Sequence, residues 1–377
     1  MSGRLATEVA IVGGGLVGCS AALHFAHRKV PCVLLEAGRC GSQASGVNFG
    51  GVRRQGRALA ELPLAERARR MWSRMDRLVG HDCEFRPTGH LRLARDEREM
   101  AELERWAKEA ARFGIAVELS GAAALRARWP WLGAGLAGGS FCPDDGQANP
   151  RLACPLFRRA AAAAGAEIRE GERVHAIERG PRGFVLGTEK GLEIEARVLV
   201  NAAGAWGSAI AALLGDELPS EAIAPNMAVS EPLPFRIEPG LGTAGPGVYL
   251  RQLPSGSVIF GGGRGVVDLA RMRCRPLLES TLATLAQVCA IVPELARALV
   301  IRSWAGIEGK TPDDLPVIGA SAKVRDLWHA FGFSGHGFML APAVGAVIVE
   351  LVLDGHSPTS LKGLEPVRFA EPVPAPG

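Results

Sequence analysis

No C-x-x-C pair and no Cys/His metal-ligand spacing occurs in this chain of 377 residues, although it holds eight cysteines: Cys19, Cys32, Cys40, Cys83, Cys142, Cys154, Cys274 and Cys289. That excludes a redox dithiol and a zinc site, so no metal is expected and the thiols read as buried groups of a cytoplasmic protein. Charge of one sign is also missing. Forty-three Lys and Arg against 39 Asp and Glu leave a net +4, too small and scattered for a nucleic acid or an anionic membrane as partner. The cluster Arg67-Ala-Arg69-Arg70 has helical spacing and reads as a solvated face. The longest apolar run, Phe338 to Leu353, contains Pro342 and Glu350 and falls short of a span, so a buried helix and no transmembrane segment are expected. The first apolar strand begins within ten residues of Met1, so no signal peptide is expected. Internal repeats are absent, and biased composition is confined to Ala160–Ala164 and a Pro-rich tail from Glu371. Tyrosine occurs once, at Tyr249.

Present instead is an apolar strand, Val9 to Val12, running into Gly13-Gly14-Gly15-Leu16-Val17-Gly18 and answered by Glu36 after a second apolar run, Val30 to Leu35. Strand, G-x-G-x-x-G, helix, strand and acid in that register make a dinucleotide site. Gly13 permits the tight turn, Gly15 lets the backbone approach a pyrophosphate, and Gly18 lets the following helix (Leu16 to His27) pack on its strands. The helix N-terminus presents amide groups and the positive end of its dipole to the anion. Glu36, followed by Ala37, would accept from the ribose hydroxyls.

Further along, Gly41 to Gly51 is a small-residue loop able to cover a flat ligand closely. Leu62 to Met75 has one apolar helical face. Short strands (His90 to Ala94) around a charged helix (Asp96 to Phe113) replace that pattern between residues 84 and 146. A helix over Pro150–Ala164, strands over Glu167–Ile177 and Gly183–Thr188, and a buried strand from Ala196 ending in a turn at Trp206 restore it. Residues 222–301 again read as a strand-rich insertion with a helix from Pro276 to Val292. Gly261 to Gly265 ends a strand with no helix after it, so it is not a second fingerprint. The strand Leu327–Phe331, the loop Gly332–Phe338 and the buried helix close the chain.

Four segments together, the fingerprint through Glu36, Ala44-Ser-Gly-Val-Asn48-Phe-Gly50-Gly51, Val200-Asn-Ala-Ala-Gly-Ala-Trp206 and Gly332-Phe-Ser-Gly-His-Gly-Phe-Met-Leu-Ala-Pro342, resemble the D-amino acid oxidase family of FAD-dependent amine oxidoreductases. Within it, Gly50 to Gln55, Trp304 to Gly309 and Gly332 to Pro342 are most similar to the β subunits of sarcosine oxidase, opine oxidase and D-hydroxyproline dehydrogenase. The resemblance implies an α/β + β architecture: a Rossmann-like FAD-binding domain assembled from residues 1–83, 147–221 and 302–377, with a mixed-sheet substrate domain (84–146 and 222–301) inserted.

It also implies site residues. FAD would lie on Gly13, Gly14, Gly15, Leu16, Gly18, Glu36 and Ala37. Val174 matches the position whose backbone holds adenine. Ala44, Ser45, Asn48, Gly50, Gly51 and Val52 would line the isoalloxazine ring with Ala203, Gly204 and Trp206. Gly335, His336, Gly337, Phe338 and Met339, at the start of the last helix, would stabilise the charge that develops on the flavin; His336 is either catalytic or a loop imidazole bonded to backbone. Tyr249 matches a substrate-contacting tyrosine, and Arg251 shares its strand face and suits a carboxylate; a core tyrosine and a surface arginine are the alternatives. Arg53 and Arg54 are further carboxylate clamps. Glu308 stands where glycine oxidase and D-amino acid oxidase carry an arginine, which favours a substrate with an additional amine or hydroxyl, unless it serves a structural ion pair. The flavin-tethering cysteine of monomeric sarcosine oxidase aligns with Gly306, so FAD is expected to be non-covalent.

The reaction implied is oxidation of a secondary or cyclic amino acid (an N-alkyl amino acid, an opine or a D-hydroxyproline-like compound) to an imine by hydride transfer to flavin N5. Two other readings stand beside it: oxidation of a 2-hydroxy acid with His336 as base, and a flavin subunit that passes electrons to partner subunits.

Overall fold

Val9, Ala10, Ile11 and Val12 are all buried, the run expected of a strand covered on both faces, and the strand Arg4–Val12 lies at the centre of a parallel sheet. The computed structural model describes residues 3–370; the Pro-rich tail from Glu371 lies outside the described residues. Neighbouring strands run in the order Val317–Ala320, Leu327–Phe331, Glu193–Asn201, Arg4–Val12, Cys32–Glu36, Glu167–Glu170. All pairings are parallel except that of the first edge strand. Val174–Gly180 and Gly183–Thr188 extend Glu193–Asn201 as an antiparallel meander. The register sets Val12 beside both Leu35 and Asn201, so the two strand ends that carry the fingerprint and its acid lie side by side. Helices Leu16–His27, Pro150–Ala163 and Gly337–Asp354 pack together over one face. Gly337–Asp354 is long and apolar enough to cross a membrane, yet most of it is buried inside this fold.

The second sheet is also eight-stranded, in the order Val300–Ala305, Pro225–Pro232, Ser257–Arg264, Tyr249–Gln252, Gly240–Thr243, His90–Ala94, Gly138–Cys142, Glu118–Gly121. Its period-two alternation decides the site. Leu91, Leu93, Leu241, Leu250 and Phe260 enter one core with Val288 and Ile291 of helix Leu278–Ile291. His90, Arg92, Tyr249 and Arg251 consequently turn to the opposite face.

Several details depart from expectation. Strand Val300–Ala305 pairs with Pro225–Pro232, so a domain divide at 301/302 runs through a strand, and Gly51–Val52 pairs with Gly146–Gln147 across the 146/147 divide. The segment Glu167–Ile177 is two strands, broken at Gly171 where φ is +73°. The loop Gly41–Gly51 contains a helical turn, Ala44–Val47. Arg67 is not on a solvated face: its guanidinium makes a two-bond pair with Glu350 (2.9 and 2.6 Å) that ties helix Leu62–Trp72 to Gly337–Asp354.

Candidate active site

A cavity of about 730 Å³ lies between the two sheets, within the size range of cofactor and substrate sites. Backbone lines one end. A Cβ on Gly13 would sit 2.3 Å from the Ala202 carbonyl oxygen, and one on Gly18 would sit 2.0 Å from the Gly13 oxygen. Only glycine therefore permits this close turn and the helix that leaves it. Glu36 accepts from the Gly14 and Gly38 amides at 2.7 Å each, and Ser45 Oγ accepts from the Leu16 amide at 2.8 Å. Two amides expected to face an anion freely thus have protein partners. Burial raises the Glu36 carboxyl above the usual range, against the two amide bonds that lower it.

Gly13, Gly15, Glu36, Ala37, Ala44, Ser45, Asn48, Gly50, Gly51, Val174, Ala203, Gly204, Trp206 and Gly335 to Met339 all line the cavity. Gly14, Leu16, Gly18 and Val52 do not line it; they shape the turn and the loop behind it. Helices Leu16–His27 and Gly337–Asp354 both begin at the cavity, and neither N-cap residue, Gly15 or His336, caps its helix with its own side chain. Such ends suit a pyrophosphate and a flavin that gains charge on reduction. A dinucleotide with a flat ring fits this chemistry. Gly306 lines the wall where a tether would stand, and a Cβ there would lie 2.3 Å from Val47. No cysteine is among the lining residues.

At the other end the side chains carry chemistry. His336 Nδ1 lies 2.8 Å from Glu61 Oε1, and a carboxylate can only accept, so Nδ1 bears the proton and Nε2 is left as the acceptor. Burial and then the nearby Arg57 lower the His336 pKa, more than Glu61 raises it, which keeps the imidazole neutral at pH 7. Glu61 is fully buried and also lies 3.6 Å from Arg57 Nη1. Glu308 accepts from the Gly335 amide, and burial pushes its carboxyl up to about 7. Tyr249 stands edge-on to Phe49, with ring centroids 4.8 Å apart.

Two expected clamps are corrected. Arg54 is held by Asp145 (3.2 Å), Glu66 (2.7 Å) and Asp144 (3.2 Å), so its charge is consumed outside the cavity. Arg251 does share the face of Tyr249 but lies behind Phe49, 5.5 Å from the ring centroid, with Nη1 3.4 Å from Gln147 Oε1. Arg251 braces the flavin loop, because Phe49 and Gly50 stand between it and the cavity. Arg53 does line the cavity, joined by Arg57, His90 and Arg92, which sequence reasoning missed together with Glu61. Glu61 had a faint signal, a lone acid within Leu59-Ala-Glu-Leu-Pro-Leu64. Among the described residues, no group of three His, Cys, Asp or Glu side chains is placed to hold a metal ion.

The family model described as FAD dependent oxidoreductase (DAO) matches residues 8–351, and the chain belongs to that family. It is an FAD-dependent oxidoreductase. Glycine oxidase of Geobacillus kaustophilus is 29% identical over 373 residues, covering 92% of each chain. An opine oxidase subunit of Rhizobium meliloti is 29% identical over 379 residues, covering 96% of this chain and 97% of that one. The crystal structure of L-proline dehydrogenase from P. horikoshii superposes with a TM-score of 0.89 at 28% identity, covering 97% and 98%.

Proposed function

We propose that the chain oxidises a secondary or cyclic amino acid (an N-alkyl amino acid, an opine or a proline derivative) to its imine. The observation that carries this reading is one cavity holding guanidinium groups, a neutral imidazole and a buried carboxyl together. An amino acid offers the complementary carboxylate and amine. Relatives named glycine oxidase, opine oxidase and L-proline dehydrogenase support the class.

Bound FAD would accept the two electrons removed from the C–N unit. The protein's own work is orientation and proton movement. Arg53 and its neighbours would hold the carboxylate. His336 Nε2 would take the proton that a bound ammonium must lose before oxidation, while Glu61 keeps the imidazole in the tautomer that can do so. Glu308, in its ionised form, would attract the ammonium. Water hydrolyses the released imine.

Anaerobic bleaching of the flavin tests this with sarcosine, D-proline, D-hydroxyproline, an opine, glycine, D-alanine and lactate. Secondary or cyclic amino acids should reduce the flavin fastest. Lactate as the best reductant would move the reaction to 2-hydroxy acids.

A second reading concerns partners. Leu278, Leu282, Leu299 and Ile301 are exposed by 72, 56, 67 and 62%, and Val300–Ala305 is the edge strand of its sheet. Exposed apolar side chains beside an open edge favour a partner subunit that receives the electrons. Size exclusion, with turnover compared between oxygen and an artificial acceptor, tests it: a monomer active with oxygen alone rules it out. Eight unpaired thiols support a place in the cytoplasm.

A further inference from the structure

The wall opposite in kind to the glycine-lined end carries more positive charge than the protein balances. Strand His90–Ala94 turns His90 and Arg92 to the cavity, and the segment after Val52 adds Arg53 and Arg57. Among the described residues, only one of these three guanidiniums has a carboxylate within 4 Å: Arg57, whose Nη1 lies 3.6 Å from Glu61. Glu61 is already shared with His336. Among the described residues Arg53 and Arg92 form no ion pair; their hydrogen bonds go to the carbonyls of Gln55 (2.6 Å) and Ala244. Arg57 is 3% exposed, and its buried Nη1 has no hydrogen-bond partner at all. Asp145, which acts on Arg53 and Arg57 from farther away, is engaged by Arg54 and by the Gln55 amide (2.9 Å); Glu102 and Glu99 act on Arg92 without pairing with it, and Glu99 is held by Arg95 (3.0 Å).

Burial and mutual repulsion hold Arg57 and Arg92 down to about 10, which leaves both protonated at neutral pH. His90 is driven well below its ordinary value by the same burial and by the three arginines, so it adds no charge. Three cations against Glu61 leave an excess of two, or of one when Glu308, which lines the same cavity, is ionised. Such an excess is costly unless a ligand supplies the missing charge.

We propose that the substrate is a secondary amine bearing a carboxylate on each of its two carbon arms, with Arg53, Arg57 and Arg92 together holding both carboxylates. One of these is the α-carboxylate and the other sits on the N-substituent. This rests on the reading of the cavity as an amino acid oxidation site and narrows its substrate class. Cyclic and simple N-methyl amino acids, zwitterions with one carboxylate, bring no net negative charge and leave the excess uncompensated, whereas a second carboxylate supplies one.

Binding to the FAD-loaded enzyme tests the charge requirement apart from turnover. Diglycolate and methoxyacetate are the oxygen isosteres of iminodiacetate and sarcosine, and neither can be oxidised as an amine. Followed by flavin absorbance and by thermal shift, diglycolate should bind at least about tenfold more tightly than methoxyacetate. In Arg92→Met, which keeps length and removes charge, that ratio should fall toward one, with FAD content and melting temperature checking the fold. Equal affinities in the wild type, or an unchanged ratio in Arg92→Met and in Arg57→Met, overturn the proposal. Iminodiacetate and sarcosine are then compared as reductants. If sarcosine bleaches the flavin as fast, the two-carboxylate claim fails while amino acid oxidation stands; tight diglycolate binding with no amine able to bleach it sinks the oxidation reading and keeps the charge claim.

Discussion

Glu308 and Glu61 are both buried carboxyls, and their neighbours send them in opposite directions. Only one backbone amide supports Glu308, so desolvation wins and its pKa rises from 4.5 to about 7; His336 and Arg57 overcome the same penalty at Glu61 and lower its pKa. Because the folded value of Glu308 lies above the unfolded one, its stabilising contribution is full below about pH 4.5 and is lost as pH rises through 7. Glu308→Gln should flatten that dependence and leave the substrate-free protein more stable than wild type at pH 8, by about 1–3 kcal/mol. Urea denaturation at pH 5 and pH 8 measures it, and parallel curves would show that Glu308 titrates normally. Glu61→Gln strands Arg57 and should destabilise by about 3–5 kcal/mol. Because Glu61 raises the His336 pKa, its loss should also move the acid limb of the pH–rate profile to lower pH, a shift that a merely structural role would not produce. Residues at this scale were unevenly legible. Tyr249, Glu308 and His336 stand out because each interrupts a glycine-rich or apolar stretch, whereas Glu61 acquires its role from a partner 275 positions away. Arg53 and Arg54 are adjacent in sequence, and only the folded backbone shows that one faces the cavity and the other faces three acids.

The helices and strands were easier to read than their side-chain roles. Leu16–His27 begins and ends where the fingerprint places it, since the glycine turn fixes its start and Lys29, at φ +59°, its end. What periodicity does not reveal is how closely helices approach. Gly345 meets Leu16–His27 so tightly that a Cβ would lie 2.3 Å from Ser20 Oγ and 2.6 Å from the Ala21 amide nitrogen. Trp72 Nε1 donates to the Met339 carbonyl at 2.9 Å, near Pro342, which cannot continue the backbone ladder. Gly345→Ala should therefore cost about 1–3 kcal/mol by overpacking. The two helices aimed at the cavity would separate, so FAD affinity should fall with stability. A stable variant with unchanged FAD affinity would show that the crossing has slack. Glu36→Ala acts on the neighbouring turn and should weaken FAD by about 1.5–3 kcal/mol through lost bonds to a charged group. Since Glu36 also holds the Gly14 and Gly38 amides, part of that loss should appear as slower FAD rebinding to the apoprotein in stopped-flow.

At the scale of the whole molecule, the α/β reading and the inserted second sheet follow from the alternation of pattern along the chain. The exact divides do not, because Gly51–Val52 and Val300–Ala305 find partners far away in sequence and local periodicity carries no information about them. A cavity between two separately built sheets links their stability to its contents. FAD at 100 times its dissociation constant should stabilise the protein by about 2.7 kcal/mol, read as a melting temperature that climbs with added FAD. Acid precipitation should leave the yellow colour in the supernatant, and colour retained in the pellet would contradict a reversible association.

The crowding at Gly306 has a consequence for how the enzyme is supplied. A side chain at that wall collides with the Val47 side chain, so a covalent anchor there would require Val47 to move or be replaced as well. Cofactor and polypeptide are accordingly expected to be separable parts. The active fraction should then follow the free flavin concentration around the protein, with apoprotein accumulating when flavin is scarce. The same separability makes the chain an exchangeable host: flavins with shifted reduction potentials can be loaded in turn, and the dependence of rate on driving force measured on one unaltered set of side chains.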